Sequence, residues 1–346
     1  MSDLWVMIVA PHPDDESLAA GGLIQHALRA GAALRVLYMT DGENNPWAQL
    51  ACEGRWPRSP ATRARWGARR RLEALAALAR LGLAAEAARF IGFQDQALTT
   101  LLLQGDRRPI EALAAELEEW RPSILVGPSA RDHHPDHSAT AVLARLAQLG
   151  RIHVPSLVLA YVLHVGRRRH RDETSMLQLL RWRGFQLPAF ARSIEAFETP
   201  EAGFDEAPGV SAFVSDGALR AMITCAARPR LGAATMRLVL ARESGEVVGL
   251  SLRLPGRSCD VEVDCTAPGA RPVARLRVTP KSWQVALPLD FAPAECLIKV
   301  DWPAEQRLGL LDHAGWMSVP TPSRTSTDGD RPPLAPRPAY ASLDST

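Results

Sequence analysis

Leu4-Trp5-Val6-Met7-Ile8-Val9-Ala10-Pro11-His12-Pro13-Asp14-Asp15-Glu16 decides the fold. An unbroken apolar run stopped by proline reads as a strand buried on both faces, the kind found in parallel sheets. The histidine and two adjacent carboxylates then fall on a stiff turn at the strand's end, where open α/β sheets place their chemistry. A second cluster, Asp132-His133-His134-Pro135-Asp136-His137, follows the short apolar run Ile124 to Val126. Two such clusters at two strand ends suggest one metal site.

Outward from these stretches, apolar spacing predicts a helix over Ser17 to Ala30 stopped by Gly31, a strand over Leu34 to Thr40 and a long loop from Asn44 to Trp66. A helix over Ala68 to Leu81, a strand over Arg89 to Gly92 and a helix over Pro109 to Trp120 come next. After the strand Ile124 to Val126, a helix over Ala139 to Leu149 and a strand over Ser156 to Leu163 complete the series. This alternation is that of a mostly parallel sheet between helices. Right-handed crossovers bring the strand ends, and both His/Asp clusters, to one edge.

Beyond about residue 200 the pattern changes. Helical spacing occurs only near Gly217 to Ala227, and short runs follow at Met236 to Ala241, Val247 to Leu254, Cys259 to Cys265, Val273 to Val278, Trp283 to Leu287 and Cys296 to Val300. These read as an antiparallel β module. The expected division is residues 1–204, a β-rich module at 205–320, and a Pro/Ser/Thr/Asp-rich disordered tail at 321–346.

The chain has 346 residues, 47% of them hydrophobic, and a formal net charge of +2, so it can bury a large core. All of its 40 basic residues except Lys281 and Lys299 are arginine, which reads as codon bias rather than a nucleic-acid signature. Five scattered cysteines without a Cys-x-x-Cys pair fit a reduced, cytoplasmic chain. The start lacks the basic region of a signal peptide. No run approaches the roughly 20 apolar residues of a membrane span.

A catalytic zinc takes three protein ligands and leaves a position open for water. His12, Asp15 and His137 supply three. Asp14 remains free as a base for a water whose pKa the metal lowers from about 16 towards about 7. His134 could stabilise the oxyanion formed on an amide carbonyl and protonate the leaving amine, with Asp136 fixing its tautomer or raising its pKa. The reaction class is metal-assisted hydrolysis. The same donors tolerate iron.

Pro-His-Pro-Asp-Asp-Glu followed by His-Pro-Asp-His resembles the two motifs of the PIG-L/LmbE-like family of zinc-dependent N-acetylglucosamine deacetylases, over roughly residues 4 to 165. The resemblance implies a Rossmann-like three-layer α/β/α sandwich, the metal ligands His12, Asp15 and His137, the base Asp14, and the oxyanion stabiliser or acid His134 backed by Asp136. Two weaker features, Arg70 with Glu73 and Gly92 to Asp95, imply that Arg70 and Asp95 contact sugar hydroxyls or hold the pocket. The implied substrate is a small sugar conjugate, anionic or lipid-linked, with no nucleic acid and no membrane span, acted on by a monomer or homo-oligomer.

Blander readings stand beside these. Asp14 also suits a helix N-cap, and Glu16 a first helical turn. His133 reads as a loop residue, and His26, His153 and His164 carry no spacing argument. The arginines from Arg55 to Arg71 and from Arg167 to Arg171 either attract an anion or form a solvated face. Trp47, Trp56 and Trp66 either stack on sugar or anchor a loop. Two other functions use the same residues: a non-haem iron oxygenase built on His12, Asp14 and a distant histidine, and a non-catalytic glycan-binding protein.

Overall fold

The computed structural model describes residues 4–54, 56, 59–149, 151, 153–164, 210–224, 234–255, 257–266, 271–279, 282–301, 316–319 and 321. Five strands, β1 (Trp5–Ala10), β2 (Ala33–Thr40), β3 (Ala88–Phe93), β4 (Ile124–Pro128) and β5 (Leu157–Tyr161), pair in parallel in the order β3-β2-β1-β4-β5. The chain runs outward from β1 through β2 and β3, then crosses back to β4 on the other side of β1. That reversal opens a crevice between the ends of β1 and β4, and both His/Asp clusters follow those two strands.

Side-chain alternation along β1 splits the core into two. Val6, Ile8 and Ala10 face α1 (Asp15–Arg29) and α3 (Pro60–Leu81), through Ala19, Ile24, Ala74 and Leu78. Met7 and Val9 face the opposite layer, made of α4 (Leu98–Leu103), α5 (Arg108–Trp120) and α6 (Pro135–Ala147). This is the three-layer α/β/α arrangement the sequence implies.

The long loop expected at 44–66 instead holds α2 (Pro46–Glu53) and the first turns of α3. Asn45 caps α2 with its side chain on Ala48 N, and Pro46 occupies the first turn. Ser59 and Thr62 form a reciprocal capping box ahead of α3, with Pro60 behind it. Those start signals, Asn-Pro and Ser-Pro, outweigh the weak periodicity of the arginine-rich stretch.

The C-terminal half is a sandwich of two antiparallel sheets. One holds β10 (Cys259–Glu262), β12 (Val273–Val278), β13 (Ser282–Pro288), β7 (Ala218–Thr224) and β6 (Val210–Ser215), in that order. The other holds β11 (Asp264–Cys265), β9 (Val247–Leu254), β8 (Ala234–Ala241), β14 (Glu295–Asp301) and β15 (Met317–Ser318). The helix expected from Gly217 is β7, because Asp216 and Gly217 both take positive φ (50° and 67°) and turn the chain into a tight hairpin with β6. The single run expected at Cys259 to Cys265 is two strands, since the chain passes from one sheet to the other at Val263.

The β8–β9 sheet is buried on both faces. Met236, Leu238 and Leu240 meet the other sheet, while Val239, Ala241, Val247 and Leu297 join the apolar cluster of α4, α5 and α6. Arg145 of α6 pairs with the buried Glu295 at 3.2 Å across this junction, and Trp316 N donates to Ala130 O. The boundary expected near residue 205, the arginines at 167–171 and almost all of the 321–346 tail lie outside the described residues.

Candidate metal and catalytic site

The first motif is held in a closed turn. Pro11 O accepts from both the backbone N–H and the hydroxyl of Thr40, which fixes the end of β1 to the end of β2. His12 N donates to Asp15 Oδ2 at 2.9 Å, and Asp15 N donates back to His12 O. Between them Asp14 sits at φ 124°, ψ −26°, a conformation costing an aspartate about 1–3 kcal/mol. Strain of that kind persists only where its surroundings impose it.

Asp14 occupies the N-cap position of α1, yet its carboxylate makes no capping hydrogen bond. It turns to Arg70 instead, with Nη2 3.0 Å from Asp14 Oδ2, and the same guanidinium donates to Pro13 O. Gly42 makes room for this arrangement: at φ 63°, it lies where a Cβ would meet Pro13 and the Arg70 guanidinium. The base candidate is therefore half exposed and aimed by an arginine rather than spent on the helix end.

The second motif begins α6. His134 is the N-cap, and its Nδ1 accepts from Asp136 N at 3.3 Å. An imidazole nitrogen that accepts from a backbone N–H carries no proton, so the neutral ring bears its proton on Nε2. Burial, then the neighbouring His12, His137 and His164, pushes His134 down to about 4. Where the sequence offers Asp136 as a candidate to raise its pKa, His134 is instead a neutral hydrogen-bond donor. The Asp136 carboxylate lies elsewhere, accepting from Gln96 N at 2.6 Å and Leu98 N at 3.3 Å, where it ties the start of α4 to the site.

Across the β1/β4 crevice these parts converge. Asp15 Oδ2 lies 3.3 Å from His12 Nδ1 and 3.2 Å from His137 Nε2. On its other edge, His12 Nε2 lies 3.1 Å from Asp95 Oδ1 and 3.5 Å from Asp136 Oδ2. The rings of His12 and His134 meet edge to face at 4.7 Å. Of the eight residues the sequence nominates, Asp95 and Asp136 are buried beside His12, whereas Asp14 is half exposed and His134 and Arg70 are partly buried.

The residues fit a bound cation on three counts. Asp15 Oδ2 stands 3.2–3.3 Å from one nitrogen each of His12 and His137, near the roughly 3.3 Å that bonds of about 2 Å set between two ligands of one ion. His12 Nε2, His137 Nε2 and Asp95 Oδ1 are buried without a directed hydrogen bond. Four carboxylates, Asp15, Asp95, Asp132 and Asp136, are all at most 3% exposed. Such a concentration of buried acid needs positive charge close by. In the ion-free chain, protons on the imidazoles meet that need. Burial opposes charge on His12 and His137, but their carboxylate partners win, holding His12 well above the usual imidazole range and His137 up at about 9. Among the described residues, donor atoms gather within 4.8 Å in three overlapping trios: His12, His134 and His137; Asp132, His137 and His164; and His12, Asp95 and Asp136. The nominated set of His12, Asp15 and His137 is not one of them, because Asp15 bridges the two imidazoles without all three donor atoms meeting at that distance.

Asp14 has a different balance. Crowding by protein and the charge of Asp15 raise its carboxyl above the ordinary value, while Arg70 lowers it. Glu16, fully buried, is pushed up to about 7 by burial, although it accepts from Ser17 Oγ and Asp14 N.

Two participants carry no role in the sequence reading. Asp132 accepts from the backbone N–H groups of His134, Leu163 and His164, and lies 3.2 Å from His137 Nδ1 and 3.1 Å from His164 Nδ1. It stands inside the second cluster, so its position was in plain view but its partners were not. His164 follows β5, and only the pairing of β5 beside β4 reveals that it ends next to His137, with ring centroids 4.6 Å apart. Trp66 is buried, whereas Trp47 and Trp56 are exposed and meet edge to face at 5.1 Å. The α3 arginines mostly have local partners, Arg65 with Glu53, Arg69 with Glu73 and Arg71 with Asp41, which favours the solvated-face reading there.

Among proteins of known sequence, a 1D-myo-inositol 2-acetamido-2-deoxy-alpha-D-glucopyranoside deacetylase from Mycobacterium sp. (strain KMS) is 33% identical over 154 residues, covering 39% of this chain and 47% of that protein. The chain spans about half the length of the curated relatives it matches. Among solved structures, the N,N'-diacetylchitobiose deacetylase from Pyrococcus horikoshii is 19% identical, with a TM-score of 0.38 and coverage of 54% of this chain and 70% of that one. The 4-carboxy-2-hydroxymuconate hydratase GalB from Pseudomonas putida KT2440 is 24% identical, with a TM-score of 0.39 and coverage of 48% and 68%. The family model PIG-L, described as GlcNAc-PI de-N-acetylase, matches residues 7–148, the stretch that contains both His/Asp motifs. Residues 7–148 are thus similar to the PIG-L family, and the rest of the chain lies outside that match.

Proposed function

We propose that this protein is a metal-dependent N-deacetylase that hydrolyses the acetamido group of an N-acetylglucosamine-type sugar conjugate, giving the free amine and acetate. One observation carries the reading: Asp14, aimed by Arg70, and the Nε2 edge of a neutral His134 flank a buried His/Asp cluster at the β1/β4 crevice. The activities named for the relatives agree with it.

His12, Asp15 and His137 are the residues that would hold the ion, zinc or iron by ligand type. When bound, the ion supplies Lewis acidity towards the amide carbonyl and towards water. The chain's own residues supply the proton movements. Asp14 takes the proton of the attacking water, and the Nε2–H of His134 donates to the oxygen that becomes negative as the carbonyl carbon turns tetrahedral. A ring held down at about 4 is a poor acid near neutrality but a sound hydrogen-bond donor. The proton collected by Asp14 is therefore the one returned to the leaving amine as the C–N bond breaks. Arg70 keeps the carboxylate at the mouth throughout.

The exposed Trp47 and Trp56 stand on and just beyond α2, which begins beside Asn44. Asn44 N donates to Asp95 at 2.9 Å. These rings suit the apolar portion of the conjugate. The test is a mass-spectrometric screen of N-acetylated sugar conjugates for loss of acetyl, with Asp14→Ala alongside. Acetyl loss that Asp14→Ala abolishes supports the proposal. Undiminished acetyl loss in Asp14→Ala, or none from any conjugate with the metal-loaded chain, overturns it.

A further inference from the structure

The outer face of the β10-β12-β13-β7-β6 sheet takes no part in the chemistry above, and it has a character of its own. Its outward residues align in two cross-strand rows. Phe213, Arg220, Ala286 and Arg275 form one, and Ser211, Met222, Gln284 and Arg277 the other. Ala286 is the smallest residue of the first row and sits between two arginines, so the sheet is hollow there. The cavity has a volume of about 420 Å³, and no acidic side chain lines it.

Three guanidinium groups surround the hollow. Arg220 and Arg275 stand two strands apart, about 10 Å by strand spacing, and Arg277 is the next outward residue along β12 from Arg275. Only Arg275 has an acidic neighbour among the described residues, Asp260 at 3.7 Å with both side chains largely exposed. An exposed pair of that kind holds its arginine weakly. Phe213 and Met222 add exposed apolar surface at 51% and 43%. Gln284 and Ser211 add an amide and a hydroxyl.

We propose that this face is a binding site for an anionic carbohydrate. Its acidic group would be held by Arg220, Arg275 and Arg277, and one sugar ring would lie against Phe213 and Met222. Guanidinium groups recognise oxyanions through paired N–H donors, which sets the charge of the ligand. The apolar face of a pyranose matches the Phe213–Met222 surface, and its hydroxyl rim matches Gln284 and Ser211. A nucleic-acid strand stacks successive bases on successive rings, and here there is one ring. A membrane surface calls for a wider apolar stripe than two side chains supply. The inference rests on the sandwich's own residues, so it stands or falls independently of the deacetylase reading.

Calorimetric titration of the full chain at low salt provides the test, with a heparin-derived sulfated tetrasaccharide, neutral chitotetraose and the oligonucleotide dT8 as probes. The sulfated tetrasaccharide is expected to bind and chitotetraose not to. Arg220→Ala and Arg277→Ala are each expected to weaken binding about tenfold, and Phe213→Ala several-fold, with melting temperatures and activity on a small soluble substrate unchanged. Four results overturn the proposal. Arginine variants could bind as the parent does, dT8 could bind more tightly than the tetrasaccharide, or the chain could self-associate through this face until Arg220→Glu separates the copies. A Phe213→Ala variant that binds as tightly as the parent would reduce the site to bare charge attraction and also overturn the carbohydrate assignment.

Discussion

Asp132 Oδ2 lies 3.2 Å from His137 Nδ1, and His137 Nε2 in turn lies 3.2 Å from Asp15 Oδ2. The carboxylate thereby takes one ring nitrogen and leaves the other facing the buried cluster. Three backbone N–H donors hold Asp132 itself in place. Asp132→Asn is expected to lower metal affinity about 10- to 100-fold. Competition between the protein and a chelator of known strength measures this. Affinity equal to the parent's would mean that His137 is oriented by packing alone.

Asp14 is half exposed, strained in its backbone, and paired with Arg70. Asp14→Asn keeps the shape but removes the proton acceptor, so kcat should fall by about 10²- to 10⁴-fold with metal content unchanged. Arg70→Ala should leave the carboxylate in place but unaimed, giving a smaller fall in kcat. Metal analysis beside steady-state kinetics separates these outcomes from loss of the site.

Glu16 is buried at the first turn of α1, and burial raises its pKa to about 7 from an ordinary value of 4.5. The folded chain therefore binds this proton more tightly than the unfolded chain. Stability associated with Glu16 is highest below about pH 4.5 and declines as the pH rises to about 7. Glu16→Gln, which stays neutral, should be the more stable protein above pH 7, by at most about 3 kcal/mol, and should lose that advantage near pH 4.5. Denaturant midpoints of the metal-free proteins across this range check it. A difference that does not vary with pH would count against a buried ionising Glu16.

Gly249 on β9 packs directly against the backbone of Leu103 at the end of α4, and a Cβ there would overlap the Leu103 carbonyl. Backbone cannot yield as a side chain can. Gly249→Ala should destabilise the protein by about 3 kcal/mol or more. Gly245→Ala, at a hairpin turn with φ 81°, provides a comparison in which backbone strain rather than collision sets the loss. Urea unfolding of both variants distinguishes the two.

The central strands were legible because their signal is local: Trp5–Ala10 and Ala33–Thr40 are runs long enough to need burial on both sides. His12, Asp14, Asp15, His134 and His137 stand out as candidates in the sequence because each motif is compact and each follows a strand. What could not be read was the traffic between motifs. Asp136 stands two residues after His134, and proximity in sequence suggested that its carboxylate served that ring. In the fold its backbone N–H does so, and the carboxylate serves the turn at 96–98. His164 lay outside any pattern, since its place depends on which strand neighbours β4. The hairpin at Asp216-Gly217 reads as helical from sequence because a short run of Ala, Leu and Met fits either period, and only the turn geometry decides.

The double burial of the β8–β9 sheet bears on how the protein melts. Its strands give alternate residues to the sandwich interior and to the α4–α6 layer, so neither half can open without exposing oily surface that belongs to the other. Folding cooperativity should therefore span both halves, with one calorimetric transition whose enthalpy reflects the whole ordered chain. A truncation at the start of the sandwich would not liberate a tidy catalytic fragment; it would strip α6, the helix that presents His134 and His137, of its outer wall.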